Sequence, residues 1–338
     1  MWFLLGLPAR RIGWFVRLHH VVADGIAGLA ELRALLDPGP DTPPGPAQPW
    51  TPAPRPSAGA LLLDNLQHRL ARLANAGRKV AHPAALLHRA RAAMPALREL
   101  LAQDPGPRTS LDRVIGQDRT LALIRGDLQR VNEVARRHNA TLNDVLLTVI
   151  GGGLRGLLVG RGERVAGVRL PVYVPISLRR GGAGPEAGNL IGQMVVPLPL
   201  GVADPVQRLR LIAAETAKRK AIHRPSLGTM FHSRLVRGAM LKLVARQRVN
   251  VVSADLAGPR TPLFFAGARL IEIFPLVNLL GTESLGVGAL SYAGQFNLMA
   301  VADAAAHPDL EVFAKSARQD LHLLVESRAD RTSGGPPH

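Results

Sequence analysis

LHHVVADG, residues 18–25, places two adjacent histidines before a short apolar run that ends in an aspartate and a glycine. The stretch that leads into it, GWFVRLHH at residues 13–20, is typical of a β-strand. Because adjacent strand residues point to opposite faces, His19 and His20 are not expected to line the same cleft. This geometry argues against a metal site built on both histidines, since the ligands of one metal must converge. No metal ion is therefore expected.

The chemistry open to this stretch depends on a single histidine. One imidazole that faces a cleft can accept a proton near neutral pH, while Asp24 in the following turn fixes the local structure. Gly25 allows the chain to turn sharply after the acid. A histidine beside an apolar strand is also commonly a hydrogen-bonded structural residue, so the residues alone leave both interpretations open.

The composition is that of a globular protein with an anionic partner. The chain has 338 residues, of which 47% are hydrophobic and 20% charged, with a net charge of +17. This charge favours nucleic acid, an anionic membrane or a phosphorylated small molecule as partner. Nucleic acid is not expected, because only 4% of the residues are aromatic and no helix-turn-helix or zinc-finger spacing occurs. The absence of cysteine excludes disulfides and a cysteine nucleophile.

The pattern along the chain predicts a mixed α/β fold (α/β or α+β) in two lobes. We assign residues 1–37 to an amino-terminal lobe that carries the histidine motif, and residues 38–108 to a proline-rich linker followed by basic helices. Strands and helices then alternate through residues 109–326, and residues 327–338 form a disordered tail. Within the basic helices, leucines at helical spacing are expected to pack in a core: Leu62, Leu66, Leu70 and Leu73.

One helix of the larger lobe carries two features of interest. TLNDVLL begins with Thr141 as a predicted N-cap, so Asn143 and Asp144 are either a pair of site residues or part of a helix start. The glycines at 151–153 lack the Lys-Ser/Thr of a phosphate loop, and close helix packing is the better interpretation. The apolar run 145–160 is interrupted by Arg155, so a buried helix is predicted rather than a membrane span.

Taken together, these motifs resemble those of a known family. His-His-x-x-x-Asp-Gly resembles the active-site signature of the coenzyme-A-dependent acyltransferase superfamily, which includes chloramphenicol acetyltransferase, carnitine acyltransferases and the condensation domains of peptide synthetases. The rest resembles the bacterial wax ester synthase and diacylglycerol acyltransferase family over nearly all of residues 1–326. The matching segments are TLNDVLL, VPISLR, GNLIGQMVVPLPLGVADPVQRL, AGPRTPLFFAGARL and SLGVGALSYAGQFNLMAVAD.

The resemblance implies a two-lobed, chloramphenicol-acetyltransferase-like fold and a direct acyl transfer. The second histidine of the motif, His20, would be the general base, Asp24 mainly structural and His19 a supporting residue, with Gly25 closing the motif. The donor would be acyl-CoA and the acceptor diacylglycerol or a long-chain alcohol. No cofactor and no acyl-enzyme are expected, which agrees with the absence of cysteine and of a Gly-x-Ser-x-Gly elbow.

Two further interpretations stay open beside this one. The chain could be a non-catalytic remnant that binds lipid surfaces or a partner, or a condensation-type enzyme that uses carrier-protein thioesters. The family places a substantial segment before the motif, which here begins at residue 19, so an incomplete amino-terminal lobe and an inactive, aggregating chain are expected. A cytoplasmic location, peripheral on membranes or lipid bodies, is expected as well.

Two more features bear on substrate binding. Residues 216–254 contain basic side chains and no acid, and four of them are candidates for contacts to CoA phosphates or anionic lipid headgroups: Lys218, Arg219, Lys220 and Arg224. A solvated basic face is the alternative. The turn that in the family usually carries an asparagine before Gly-Pro has the sequence SADLAGP here, with Asp255 in that place.

Overall fold

A computed structural model describes residues 1–19, 25–43, 45, 51–80, 91, 106–177, 191–221 and 249–327. Three of the candidate site residues, His20, Asp24 and Arg224, lie outside these ranges, and so does most of the predicted tail.

The described strands and helices have the following bounds. The strands are β1 (Trp2–Leu7), β2 (Arg11–Phe15), β3 (Arg119–Asp127), β4 (Arg169–Ser177), β5 (Ile191–Pro199), β6 (Val251–Ala257), β7 (Phe264–Phe265), β8 (Ala268–Arg269), β9 (Leu285–Tyr292) and β10 (Gln295–Asp303). The helices are α1 (Gly25–Arg33), α2 (Ala58–Val80), α3 (Leu128–Arg137), α4 (Leu142–Gly160), α5 (Pro205–Lys220) and α6 (Leu310–Glu326). A 3₁₀ turn, Pro8–Arg10, joins the first two strands.

A six-stranded mixed sheet organises most of the described chain, in the order β3-β10-β9-β6-β4-β5. β6 runs parallel to both of its neighbours, β4 and β9, while the outer pairs are antiparallel. Two short antiparallel pairs, β1–β2 and β7–β8, lie outside this sheet. Strand β9 is buried at nearly every residue, so both faces of the sheet are covered there, because successive side chains point to opposite sides.

Helices α3 to α6 contribute to the main core with one face of the sheet. Alternate strand residues such as Val172, Val251 and Val287 belong to this core together with apolar side chains of these helices. On the opposite face, Leu256 and Leu290 pack with Leu29 and other apolar side chains near α1. The residues of β6 therefore divide cleanly between the two faces.

The glycines of α4 allow this helix to approach its neighbours closely, as the sequence predicts. A Cβ atom at Gly152 would lie 1.8 Å from Oδ2 of Asp320 on α6. One at Gly153 would lie 2.5 Å from the ring of Phe313, and one at Gly156 would lie 1.9 Å from the hydroxyl of Ser316. Side chains at these positions would push α4 and α6 apart. The packing interpretation of the glycine run is thus confirmed, and no phosphate loop is formed there.

The strand predicted for residues 13–20 is shorter than expected, which is a correction to the sequence analysis. β2 ends at Phe15, and residues 16–19 have no regular structure. The physical reason is the pairing: Phe15 is opposite Trp2, the first residue of β1, so the partner strand offers nothing further to pair with. The argument that His19 and His20 point to opposite faces of one strand therefore does not apply.

Three leucines of α2, Leu62, Leu66 and Leu70, are a second correction, because they are not in a core; the side chain of Leu73 is not among those described. Leu62 is 73% exposed, Leu66 is 53% exposed and Leu70 is 56% exposed. Regular helical spacing places leucines on one side of a helix but does not determine what covers that side. The helix follows a proline-containing segment that carries it outside the core.

Within the described residues, α4 is the helix whose length and composition would allow it to cross a membrane. In its most apolar window 72% of the residues are buried inside the fold. This is the environment of a core helix, which the sequence analysis predicts for it.

Candidate active site

The last residue of the histidine motif, Gly25, lies beside β6. His19 is exposed, and Gly25 is the first residue of α1. A Cβ atom at Gly25 would lie 2.9 Å from Cδ2 of Leu256, so the start of α1 lies close to this side chain of β6. The contact is with the end of a flexible side chain, which can shift to admit a larger residue. His20 and Asp24 themselves lie outside the described residues.

The sheet opens next to this point. β6 pairs with β9 along its whole length, from Val251 to Ala257. It pairs with β4 only at Val251 and Val252, although β4 continues beside β5 as far as Ser177. The half of β6 from Ser253 onward thus has no ladder to β4. The two strands are therefore unpaired with each other at the end of the sheet where β6 terminates.

Ser253 and Asp255 lie on the helix-facing side of the unpaired half of β6. Ser253 is fully buried, and within the described part of the chain its hydroxyl has no hydrogen-bond partner. Asp255 is accessible to solvent but crowded by protein atoms. This desolvation raises the pKa of the Asp255 carboxyl to about 6, although the positive charge of Lys220 acts in the opposite direction. The Ser253 hydroxyl therefore has no described partner, and the Asp255 carboxyl loses its proton less readily than usual.

Asp144 uses its carboxylate to hold two helices together. Its Oδ2 accepts hydrogen bonds from the backbone N–H and the hydroxyl of Thr141, both at 2.7 Å, which completes a capping box. Its Oδ1 accepts a 2.6 Å hydrogen bond from the hydroxyl of Thr216 in the last part of α5. Of the two interpretations left open for Asp144, the structure gives this carboxylate the contacts of a helix start.

Asn143 lies beside Asp144 in the first turn of α4 and is half-buried. Among the described residues no hydrogen bond of its side-chain amide is found. Asn143 is thus placed at the same end of the sheet as Lys220 and Asp255, because the bond between Asp144 and Thr216 ties the start of α4 to the end of α5.

The basic candidates at the end of α5 differ in whether the described structure already uses the side chain in a protein contact. Nε of Arg219 donates to Glu215 at 2.5 Å and Nη1 donates to the carbonyl oxygen of Val195 on β5 at 2.7 Å. This guanidinium therefore holds α5 against the sheet. Lys218 and Lys220 are exposed, and both stabilise the negative end of the helix dipole. Arg224 lies outside the described residues.

We expect the bond between Asp144 and Thr216 to contribute to stability. Thr216→Val should lower the free energy of unfolding by about 1–3 kcal/mol, because a buried carboxylate oxygen loses its partner. Chemical denaturation of wild type and variant measures this difference. Thr120→Val on β3 is the matched control, with an expected change within about 0.5 kcal/mol. Equal effects of the two substitutions would contradict the assignment.

The sequence analysis missed Ser253 and the proximity of Lys220 to Asp255. A serine in an apolar strand carries little signal, and the pairing that leaves its hydroxyl alone joins distant segments. His307 is buried and also has a large pKa shift: burial lowers its pKa to about 4, and its Nε2 lies 3.0 Å from the hydroxyl of Ser284. It belongs to a structural network at the opposite end of the sheet. In the described ranges no group of side chains suits a metal ion.

Comparison with known proteins first defines the class of fold. The chain superposes on the wax ester synthase/diacylglycerol acyltransferase from Marinobacter aquaeolei VT8 with a TM-score of 0.65 and 19% sequence identity. The match covers 95% of this chain and 70% of that one. The expected chloramphenicol-acetyltransferase-like, mixed α/β fold is confirmed.

The family is then given by its two domain signatures. The wax ester synthase/diacylglycerol acyltransferase catalytic domain matches residues 1–146, and the WS/DGAT C-terminal domain matches residues 187–325. The chain belongs to the wax ester synthase/diacylglycerol acyltransferase family, as its motifs suggest.

Relatives from Mycobacterium tuberculosis match most of the chain at low sequence identity. A candidate diacylglycerol O-acyltransferase of Mycobacterium tuberculosis, Rv1760, is 28% identical over 360 residues, which cover 99% of this chain and 68% of the relative. The probable diacylglycerol O-acyltransferase tgs1 of the same organism is 27% identical over 343 residues, covering 96% of this chain and 71% of the relative.

Proposed function

We propose that this protein transfers a long-chain acyl group from acyl-CoA to the hydroxyl of diacylglycerol or of a long-chain alcohol. The observation that carries the proposal is the position of the histidine motif, whose Gly25 packs against Leu256 where β6 separates from β4. Family membership supports acyl-CoA and an acceptor as the two substrates. The half of β6 that does not pair with β4 supports access of a substrate to the end of the sheet where Gly25 lies.

His20 is proposed as the general base of a direct transfer. The imidazole removes the proton of the acceptor hydroxyl as the oxygen attacks the thioester carbonyl carbon. The tetrahedral intermediate then collapses, the bond between the carbonyl carbon and the CoA sulfur breaks, and the imidazolium returns the proton to the thiolate. The products are the ester and free CoA. Asp24 and His19 are proposed to support the conformation of the motif.

The test is ester formation by the purified chain from radiolabelled palmitoyl-CoA, with diacylglycerol and with hexadecanol as acceptors. Release of free CoA in proportion to ester supports the proposal. A second candidate, a non-catalytic protein at a lipid surface, is favoured by the exposed apolar side chains of the β1–β2 pair, where Leu5 is 75% exposed and Phe3 56%. Flotation with lipid vesicles in the absence of any ester formation would favour this second candidate.

Lys218 is proposed to attract the phosphates of CoA, because it is exposed and, unlike Arg219, is not held by a protein contact that the structure describes. Lys218→Met should raise the KM for acyl-CoA about two- to five-fold at low salt with little change in kcat, as expected for an exposed charge. The effect should decrease at high salt. Lys315→Met, on the exposed side of α6, is the control. An unchanged KM at low salt in the Lys218 variant would rule out this contact.

A further inference from the structure

Helix α2 has an apolar face that the described part of the protein leaves open to solvent. Leu62, Leu63, Leu66 and Leu70 are each more than half exposed, and none of them belongs to a core cluster found among the described residues. Leucine is one of the residue types most often buried in folded proteins, because removing its side chain from water is favourable. Four exposed leucines on one helix therefore indicate a surface that another molecule covers.

These four leucines, which we call the leucine face, lie on one side of α2. Successive helix residues are rotated by about 100°, which places the four side chains within an arc of about 100°. This arc is broader than the narrow seam of a two-stranded coiled coil. Leu61 is similarly exposed but lies on the other side of the helix, outside the arc. It provides a reference position of the same residue type.

The charges of α2 are arranged asymmetrically around the leucine face. The helix contains four lysines or arginines and a single acid, Asp64. Arg69 is exposed and lies two turns after Leu62, at the edge of the leucine face. Asp64 lies on the opposite side of the helix, where its Oδ1 is 3.4 Å from Nδ1 of His68. The edge of the apolar face thus carries a positive charge, and the one acid is directed away from it.

The segment before α2 separates this helix from the main core. Residues 51–57 are exposed and contain three prolines, which stiffen a chain segment and favour an extended path. α2 then begins after Ser57, whose hydroxyl accepts a 3.2 Å hydrogen bond from the backbone N–H of Ala60. The start of the helix is therefore fixed by a local contact, and the leucine face does not have to pack on the core for the helix to begin.

An anionic lipid surface fits this arrangement better than a second copy of the chain. A helix in a membrane interface buries an apolar face at the boundary of the acyl chains and places basic residues near the headgroup phosphates. Coiled-coil partners instead pair acidic with basic side chains along their edges, whereas two copies of α2 would bring arginines together. The net charge of +17 adds repulsion between copies and attraction to anionic lipid.

We propose that α2 is an interfacial helix that binds the protein to an anionic phospholipid surface. The leucine face enters the boundary between headgroups and acyl chains, Arg69 contacts headgroup phosphates, and Asp64 and His68 stay in water. The helix axis then lies in the plane of the membrane and does not cross it. This inference concerns the surface on which the protein works, goes beyond the proposed function, and does not depend on acyl transfer.

The first test reads the environment of single positions on α2 in the full chain. Because the chain contains no cysteine, a dye attached to one introduced cysteine reports on that position alone. Leu66→Cys and Leu61→Cys are each labelled with a polarity-sensitive fluorophore and mixed with vesicles of phosphatidylcholine and phosphatidylglycerol in equal parts. The emission of the label at position 66 should shift to shorter wavelength, while that of the label at position 61 should change little.

The second test measures how much the leucine face contributes to binding. The double variant Leu66→Gln/Leu70→Gln should bind the same vesicles at least about 10-fold more weakly than the wild type in a flotation titration, because two apolar side chains are no longer buried in lipid. Leu61→Gln is the matched control and should bind within about two-fold of the wild type. All three positions are exposed, so the substitutions should leave the unfolding temperature nearly unchanged.

The charge at the edge of the leucine face is tested separately. Arg69→Gln should weaken binding to the phosphatidylglycerol vesicles about five-fold at low salt, which is the effect of one basic residue near an anionic surface. Binding to vesicles of phosphatidylcholine alone should change little. High salt should reduce the effect of Arg69→Gln, because the charge is screened, while the loss in the double leucine variant persists.

The outcomes separate this inference from its alternatives. Equal responses of the labels at positions 66 and 61, or wild-type binding of the double leucine variant, would overturn it. Loss of binding in Leu5→Gln but not in the double leucine variant would assign the lipid contact to the β1–β2 pair and overturn it too. A shift of the label at position 66 at high protein concentration without lipid would show that a second copy covers the leucine face, which also contradicts it. Ester formation is measured separately, so either proposal can fail while the other stands.

Discussion

Replacement of His20 by alanine is expected to reduce acyl transfer by about 10²- to 10⁴-fold, the usual loss when a general base is removed. The acceptor hydroxyl then has no group to take its proton as its oxygen attacks the thioester. The loss should appear in kcat with both acceptors, while binding of acyl-CoA persists. Ester formation and CoA release under saturating acyl-CoA measure it.

His19→Ala is the matched control for this substitution, because it removes the neighbouring imidazole. His19 is exposed, so its loss should change stability by no more than about 0.5 kcal/mol and activity far less than the loss of His20 does. Circular dichroism and thermal unfolding of both variants separate a folding defect from a catalytic one. Turnover of His20→Ala close to that of the wild type would show that the base lies elsewhere.

Gly153→Val is expected to destabilise the fold by about 3 kcal/mol or more, which is the upper range for overpacking of a core. Its first added atom would lie 2.5 Å from the ring of Phe313, which is fully buried on α6 and has no room to move. Thermal unfolding and the yield of soluble protein measure the effect. A second substitution, Phe313→Ala, should relieve part of the clash in the double variant.

Gly160→Ala on the same helix provides the control. There the nearest atom to an added Cβ is Cγ1 of Val312 at 3.4 Å, an ordinary contact. The gain in helix propensity should make this variant neutral or stabilised by up to about 1 kcal/mol. If the valine variant unfolded at the temperature of the wild type, the close packing of α4 on α6 would be refuted.

Local sequence signals predict the helix starts and the packing glycines of this protein well. Thr141 and Asp144 form the capping box because its two bonds lie within one turn. The glycine run could be interpreted because a phosphate loop needs a following Lys-Ser/Thr, which this segment lacks. By contrast, the end of β2 depends on its pairing with Trp2, and the exposure of Leu62 depends on what covers α2. Neither is a property of the local sequence.

The candidate site was predictable where it depends on a motif and not where it depends on pairing. The histidine motif indicates a base and a turn, and the structure adds that Gly25 lies against Leu256 of β6. β4 and β6 pair at only two positions, beginning at residues 172 and 251, which are far apart in sequence. The opening beyond these positions is therefore not visible in the local sequence. The isolation of Ser253 and the raised pKa of Asp255 follow from that opening and from the atoms around it.

The last turn of α5 is anchored from two sides, by Thr216 on Asp144 and by Arg219 on Val195. A molecule that meets Lys218 or Lys220 therefore finds a backbone that is already ordered. It restricts only the rotamers of the lysine, at about 0.5–1.5 kcal/mol for each side chain. A lysine on a loose segment would add about 1–2 kcal/mol for every backbone residue that must be fixed. Attraction at this end of the helix is thus governed by charge and hydration, with little loss of chain entropy.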